Sequence, residues 1–134
     1  MKAYMILLPA CATLALAACA YPLGTPSGAS LYRQNCVSCH GPDGAGDGEL
    51  AATLPRPPAD LRRLAAENGG VYPAEQVMAE IYGYRGKDLQ GLMPEFAPLF
   101  DGPEVTWTAP DGRRIATPAA LLALSDHVRS LQVN

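Results

Sequence analysis

The chain has 134 residues, 49% of them hydrophobic, and a formal net charge of −3, which bounds it to one small domain with a mildly acidic surface. A surface of that sign argues against nucleic acid as a partner. Four cysteines would suggest two disulfides in an exported protein, so the fate of each cysteine decides the class.

The chain begins with a basic Lys2 and an almost wholly apolar run from Met5 to Ala18. Such a run is too short to span a bilayer comfortably and reads as a secretory signal. It ends in Leu16-Ala17-Ala18-Cys19, which resembles the lipobox of bacterial lipoproteins. The resemblance implies that Cys19 is lipidated and becomes the first residue of the mature protein; a plain signal cleaved near Ala20 is the alternative. Several acyl chains on one residue anchor stably, where a single chain binds only marginally. The expected organisation is a signal peptide at 1–18, a lipid-anchored tether at 19–26 and one domain at 27–134. Ala20 is not the aspartate that resembles an inner-membrane retention signal, so the expected place is the outer membrane or a periplasm-facing membrane surface. Cys11 leaves with the signal, and Cys36 and Cys39 remain for chemistry.

In the tether, Pro22, Gly24 and Pro26 read as flexible chain. Ser27 can cap a helix carrying Leu31, Tyr32 and Cys36 on one face. The spacing i, i+3, i+4 lets Cys36, Cys39 and His40 share one side of a turn. A glycine-rich loop follows from Gly41 to Gly48, and Pro55 to Pro58 rules out regular helix or an inner strand. Asp60 is placed to cap a short helix with Leu61, Leu64 and Ala65, stopped by Asn68-Gly69-Gly70. Pro73 suits the first turn of a helix with Val77, Met78 and Ile81 inward and Gly83 at its end. Residues 83–94 read as a loop. Val105–Thr108 and Arg113–Ala116 flank Pro110-Asp111-Gly112 as a hairpin. Thr117-Pro118 caps and starts a last helix with Leu121, Leu124, Val128 and Leu131 at helical spacing. There is no internal repeat and no βαβ pattern. The fold class expected is all-α, small, with one hairpin added.

Cys36-Val37-Ser38-Cys39-His40 admits three chemistries. A thioredoxin-like thiol pair needs a strand before it and a βαβ frame around it, which this chain lacks. A zinc site needs a fourth ligand, and counting alone leaves that open, since the other histidine, His127, stands on the last helix. Cys-x-x-Cys-His is also the attachment pattern of c-type haem, each thiol adding across one vinyl group with the histidine under the iron.

From Gly28 to Leu131 the chain resembles a bacterial single-haem class I cytochrome c. The resemblance is carried by Gly28-x-x-x-Tyr32, Cys36-Val37-Ser38-Cys39-His40-Gly41, Gly44-x-Gly46-Asp47-Gly48, Pro57-Pro58-Ala59-Asp60-Leu61, Leu92-Met93-Pro94-Glu95-Phe96-Ala97 and the closing His127-Val128-Arg129-Ser130-Leu131. It implies one covalent haem c clasped between the first and last helices, with His40 and Met93 as axial ligands. It implies single-electron transfer to and from redox protein partners, with no enzymatic turnover. A neutral thioether favours ferrous iron, and burial disfavours the extra charge of the oxidised group; both raise the potential.

Individual residues carry competing readings. Met78 sits at core spacing beside Ile81, whereas Met93 lies in a loop before a proline and is preferred as ligand. His127 is expected to pack where the terminal helices cross, at a position commonly aromatic in the family. The glycine loop lacks the preceding strand and lysine of a phosphate cradle and the spacing of a calcium loop, and is expected to wrap the haem edge. Arg56 is a candidate partner for a haem propionate, or else a solvated surface arginine; Arg85 and Lys87 have less support. The stretch between Met93 and the last helix is longer than in compact relatives, and Trp107 within it either shields the haem edge, forms part of a docking face or packs under the hairpin. Alternatives to a carrier are a gas sensor with a displaceable Met93, a fixed subunit of a larger oxidoreductase, and a metal- or thiol-based lipoprotein.

Overall fold

The computed structural model describes residues 24–83 and 93–133. The expected signal, Cys19, Arg85, Lys87 and most of the 83–94 loop lie outside the described residues. Helix α1 spans Gly28–Asn35, with the Ser27 hydroxyl accepting the Ser30 N–H at 3.2 Å as its cap. Cys36 ends α1 and begins the four-residue helix α2, Val37–His40. Two short 3₁₀ turns follow, Ala51–Thr53 and Leu61–Arg63, the second running into α3, Leu64–Glu67. As expected, Asp60 caps this segment, accepting the Arg62 N–H at 3.1 Å; the Arg62 guanidinium holds the Asp60 carboxyl down at about 2.

Helix α4, Ala74–Tyr82, closes on Gly83 in the left-handed conformation, φ +98°. Pro73 stands just before its first residue, not within it, so its missing N–H costs no helical bond. After a 3₁₀ turn at Ala97–Phe100, strands β1 (Glu104–Thr108) and β2 (Arg114–Pro118) pair antiparallel, Trp107 opposite Ile115. The tip is built as the sequence suggests: Asp111 accepts the Arg113 N–H at 3.0 Å, and Gly112 supplies φ +85°. Arg113 also reaches Glu75 at 2.7 Å, joining the tip to the start of α4.

The expected start of the last helix needs correction. Thr117 and Pro118 belong to β2, and α5 runs Ala119–Ser130 without a side-chain cap. Thr117 is buried, its hydroxyl donates to the Ile115 carbonyl at 3.2 Å, and the helix start is tied instead by the Ala119 N–H to Pro103 O at 2.9 Å.

The core is helical: Leu31 and Tyr32 of α1, Met78 and Ile81 of α4, and Leu121, Leu124 and Val128 of α5, with Phe100 beside them. The hairpin is the one sheet among the described residues. Helices α1 and α5 cross at Gly28, where a methyl group would run into the Ala123 carbonyl. His127 covers that crossing, its ring 5.1 Å from Tyr32. Tyr72 ties the start of α4 to α5 by donating to the Ser125 carbonyl at 3.0 Å. Among the described residues no helix is long and apolar enough to cross a membrane.

Candidate functional site

One turn of chain sets the site's geometry. The N–H groups of Cys39 and His40 both donate to the Cys36 carbonyl, at 3.2 and 2.8 Å, which brings the two thiols and the imidazole to one side. A helix of four residues leaves every carbonyl without an internal partner. The following chain supplies them: Gly41, Leu50, Gly48 and Gly46 donate to Val37, Ser38, Cys39 and His40 respectively, at 2.8–3.1 Å. Gly48 must be glycine, because a Cβ would lie 2.5 Å from the Val37 and Ser38 oxygens. From α1, the buried Tyr32 hydroxyl donates to the Gly41 carbonyl at 2.8 Å. Burial, with Cys36, Asp43 and Asp47 nearby, pushes its pKa up to about 12, so it remains a donor.

The glycine loop therefore works behind the turn. None of its residues from Gly41 to Gly48 is among those lining the cavity in front. The reason is the carbonyl demand of a very short helix.

That cavity holds about 720 Å³. Cys36, Cys39 and His40 line it, as do Arg56, Met93, Leu54, Pro58, Leu61, Ile81 and Leu124. Its size falls within the roughly 300–1,000 Å³ of cofactor pockets, and its lining is mostly apolar. His40 Nδ1 lies 3.1 Å from the Ala59 carbonyl. A carbonyl only accepts, so the proton is on Nδ1 and the Nε2 lone pair is left for a metal. Burial lowers the His40 pKa and keeps the ring neutral, partly offset by that hydrogen bond.

Both cysteines are half-buried free thiols. Burial, then Cys39, pushes the Cys36 thiol up to about 11. Activated thiol pairs show the opposite, a lowered pKa, so the geometry does not favour thiol redox chemistry. Among the described residues no three histidine, cysteine or acidic side chains converge as a metal ion alone would need.

Met93 is half-buried and lines the cavity with Pro94 and Phe96. The Phe96 N–H donates to Ile81 O at 3.0 Å, and Glu95 packs against Gly83, so the end of α4 fixes this segment. Met78 is only 5% exposed, in the core and not on the cavity wall. His127 and Trp107 are not on the wall either; Trp107 packs against the core from the hairpin. Arg56 is an exposed residue at the margin. The cavity is not clasped by α1 and α5 alone, since α4 and the 54–64 segment make much of its wall.

Gln76 and Glu80 also line it and were not singled out by the sequence. They stand one turn apart beside Val77 and Ile81, so the stripe read as core alone also marks a second face of α4.

A family model described as Cytochrome C oxidase, cbb3-type, subunit III, matches residues 24–109, more than half of the chain. Neither the curated proteins nor the solved structures give a match.

Proposed function

This chain belongs to the cytochrome c family described as Cytochrome C oxidase, cbb3-type, subunit III, and we propose that it carries single electrons through one haem fixed by Cys36 and Cys39. Membership makes the cofactor a haem and the general function haem-based electron transfer. The residues fit that group: two thiols and an imidazole with a free Nε2 face one apolar cavity of about 720 Å³. The finer reading rests on a single observation. That cavity collects Cys36, Cys39, His40 and Met93 from two segments more than fifty residues apart.

Bound haem supplies a one-electron iron couple. Cys36 and Cys39 would hold it by thioether bonds, which suits a protein that would otherwise lose it to bulk solvent. His40 would bind the iron through Nε2, with the Ala59 carbonyl setting the ring's tautomer and raising its basicity. Met93 would supply a thioether as the second protein ligand to the iron, and Arg56 would pair with a propionate. With both ligands in place no site for substrate would be left, so we assign no turnover of its own.

The test is the optical spectrum of the reduced, purified protein before and after carbon monoxide. A c-type spectrum unmoved by the gas supports His40 and Met93 as ligands. A clear shift moves gas sensing to the front, and no haem spectrum from cells able to mature cytochromes c ends the reading.

A fixed place in a larger oxidoreductase is the second reading, favoured by the wording of the family's description. Co-purification of further chains in mild detergent separates it from a diffusing carrier. We further infer that Cys19 carries the lipid and holds the domain at a periplasm-facing membrane, where its donor and acceptor are redox proteins. Loss of membrane-fraction protein in Cys19→Ser is the outcome expected.

A further inference from the structure

The Ala59 carbonyl that holds His40 at 3.1 Å lies in irregular chain between Pro58 and the 3₁₀ turn at Leu61. Ala59 is itself exposed, so packing does not fix it. Much of what holds the segment comes from the other end of the protein. The side-chain amide of Gln132, just past α5, donates to Leu61 O at 2.7 Å and to Val128 O at 3.0 Å. Its oxygen accepts the Ala65 N–H at 2.8 Å. Both amide protons and the oxygen are thus used. Leu61 C=O and Ala65 N–H are the pair that a continuous α-helix would bond to each other. Here an amide from residue 132 stands between them, like a peptide group inserted into the ladder. Val133 N–H adds a bond to Arg62 O at 3.0 Å, and Leu61 N–H to Gly44 O at 2.7 Å.

We infer that Gln132 is a positioning residue for the proximal histidine: by holding Leu61 apart from Ala65, it sets where the Ala59 carbonyl meets His40 Nδ1–H. The inference rests on the reading of His40 as an iron ligand. Removing the amide lets Leu61 and Ala65 bond directly, lengthens the helix backwards and draws Asp60 and Ala59 with it.

The experiment uses the reduced, diamagnetic holoprotein with nitrogen-labelled histidine. The solvent exchange rate of the His40 Nδ1 proton is measured by NMR, together with the midpoint potential. Gln132→Ala is expected to exchange about tenfold faster or more, the cost of several lost hydrogen bonds being of that order. Its potential rises, because a weaker hydrogen bond makes a less basic ligand. Gln132→Glu keeps the acceptor for Ala65 but turns both donors into an oxygen facing the Leu61 and Val128 carbonyls, so its His40 proton is expected to exchange at least as fast as in Gln132→Ala; it carries the test should the alanine variant fail to mature. Trp107→Ala, destabilised at the hairpin side, is the control for mere loss of stability. Equal exchange in Trp107→Ala and Gln132→Ala at matched melting temperatures overturns the inference, as does an unchanged rate and potential in both Gln132 variants. A wild-type protein without a c-type spectrum defeats the haem reading itself, a separate failure.

Discussion

Met93 lines the cavity and Met78 lies in the core, so substitution should separate the proposed ligand from plain packing. Met93→Ala should leave the protein folded while opening the iron: carbon monoxide then shifts the reduced spectrum and the potential falls as the thioether is lost. Met78→Ala, in the core, should leave the spectrum unmoved by the gas and cost about 2–5 kcal/mol in denaturant unfolding. A gas response in Met78→Ala would reverse the assignment. Gly46 admits a similar separation. Its φ of +80° strains any other residue, and a Cβ there would lie 2.6 Å from the Pro58 carbonyl oxygen. Gly69 has φ +66° with nothing within 4 Å, so alanine there meets the backbone strain alone. Gly46→Ala should therefore destabilise by about 1–3 kcal/mol more than Gly69→Ala, read from denaturation midpoints, the difference being the collision. At this scale the sequence was legible where chemistry dictates residue type. Cys36, Cys39 and His40 were named from their spacing, and Met93 from the family resemblance and its loop context; the structure places all four on one cavity. Ala59 and Gln132 were not, because a backbone carbonyl and a lone surface amide leave no pattern.

Among the elements, helical periodicity told which faces turn inward, and Leu31, Ile81, Leu121, Leu124 and Val128 are buried as it implies. Boundaries were less legible. Thr117-Pro118 has the composition of a helix cap, yet cross-strand pairing with Glu104 and Val105 wins. One task of the glycine loop was illegible for a comparable reason: it is set by a neighbouring helix too short to satisfy its own carbonyls. The crossing of α1 and α5 yields a pH prediction. His127 has its pKa lowered by burial, then by Arg33, so the folded protein binds that proton less readily than the unfolded chain. A depressed histidine contributes stability that is complete above the ordinary histidine pKa and is lost as pH falls through the lower, folded value. Melting temperature should drop between about pH 7 and pH 5, and drop less in His127→Phe, which keeps a ring against Tyr32 without the proton. Any contribution from His40 is common to both proteins and cancels in the comparison.

For the molecule as a whole, fold and cofactor are one problem. Tyr32, Ile81, Leu124 and Val128 belong both to the core and to the cavity wall. The cavity of about 720 Å³ opens to solvent, so without its cofactor that shared apolar wall would face water and lose the burial that stabilises it. A Cys36→Ala/Cys39→Ala variant, matured without covalent haem, should therefore lose much of its helical circular dichroism and its cooperative melt. Native-like melting in that variant would mean that the wall stands without its cofactor. The hydrophobic pattern could announce a small helical domain with a hairpin, but not that so much of its inward surface faces a third party. Nor could it show α4 shared between core and cavity, since both uses ask for the same apolar spacing.

Strand β2 passes into α5 at Pro118–Ala119 with no loop between them. Length variation among descendants of this sequence is restricted accordingly. One residue inserted in β2 would flip its side chains to the opposite face and, carried into the helix, turn α5 by about 100°, taking Leu124 and Val128 off the cavity. Insertions and deletions are thus expected to accumulate at the Pro110–Gly112 tip, and a graft meant to give the domain a new surface has its natural point of attachment there.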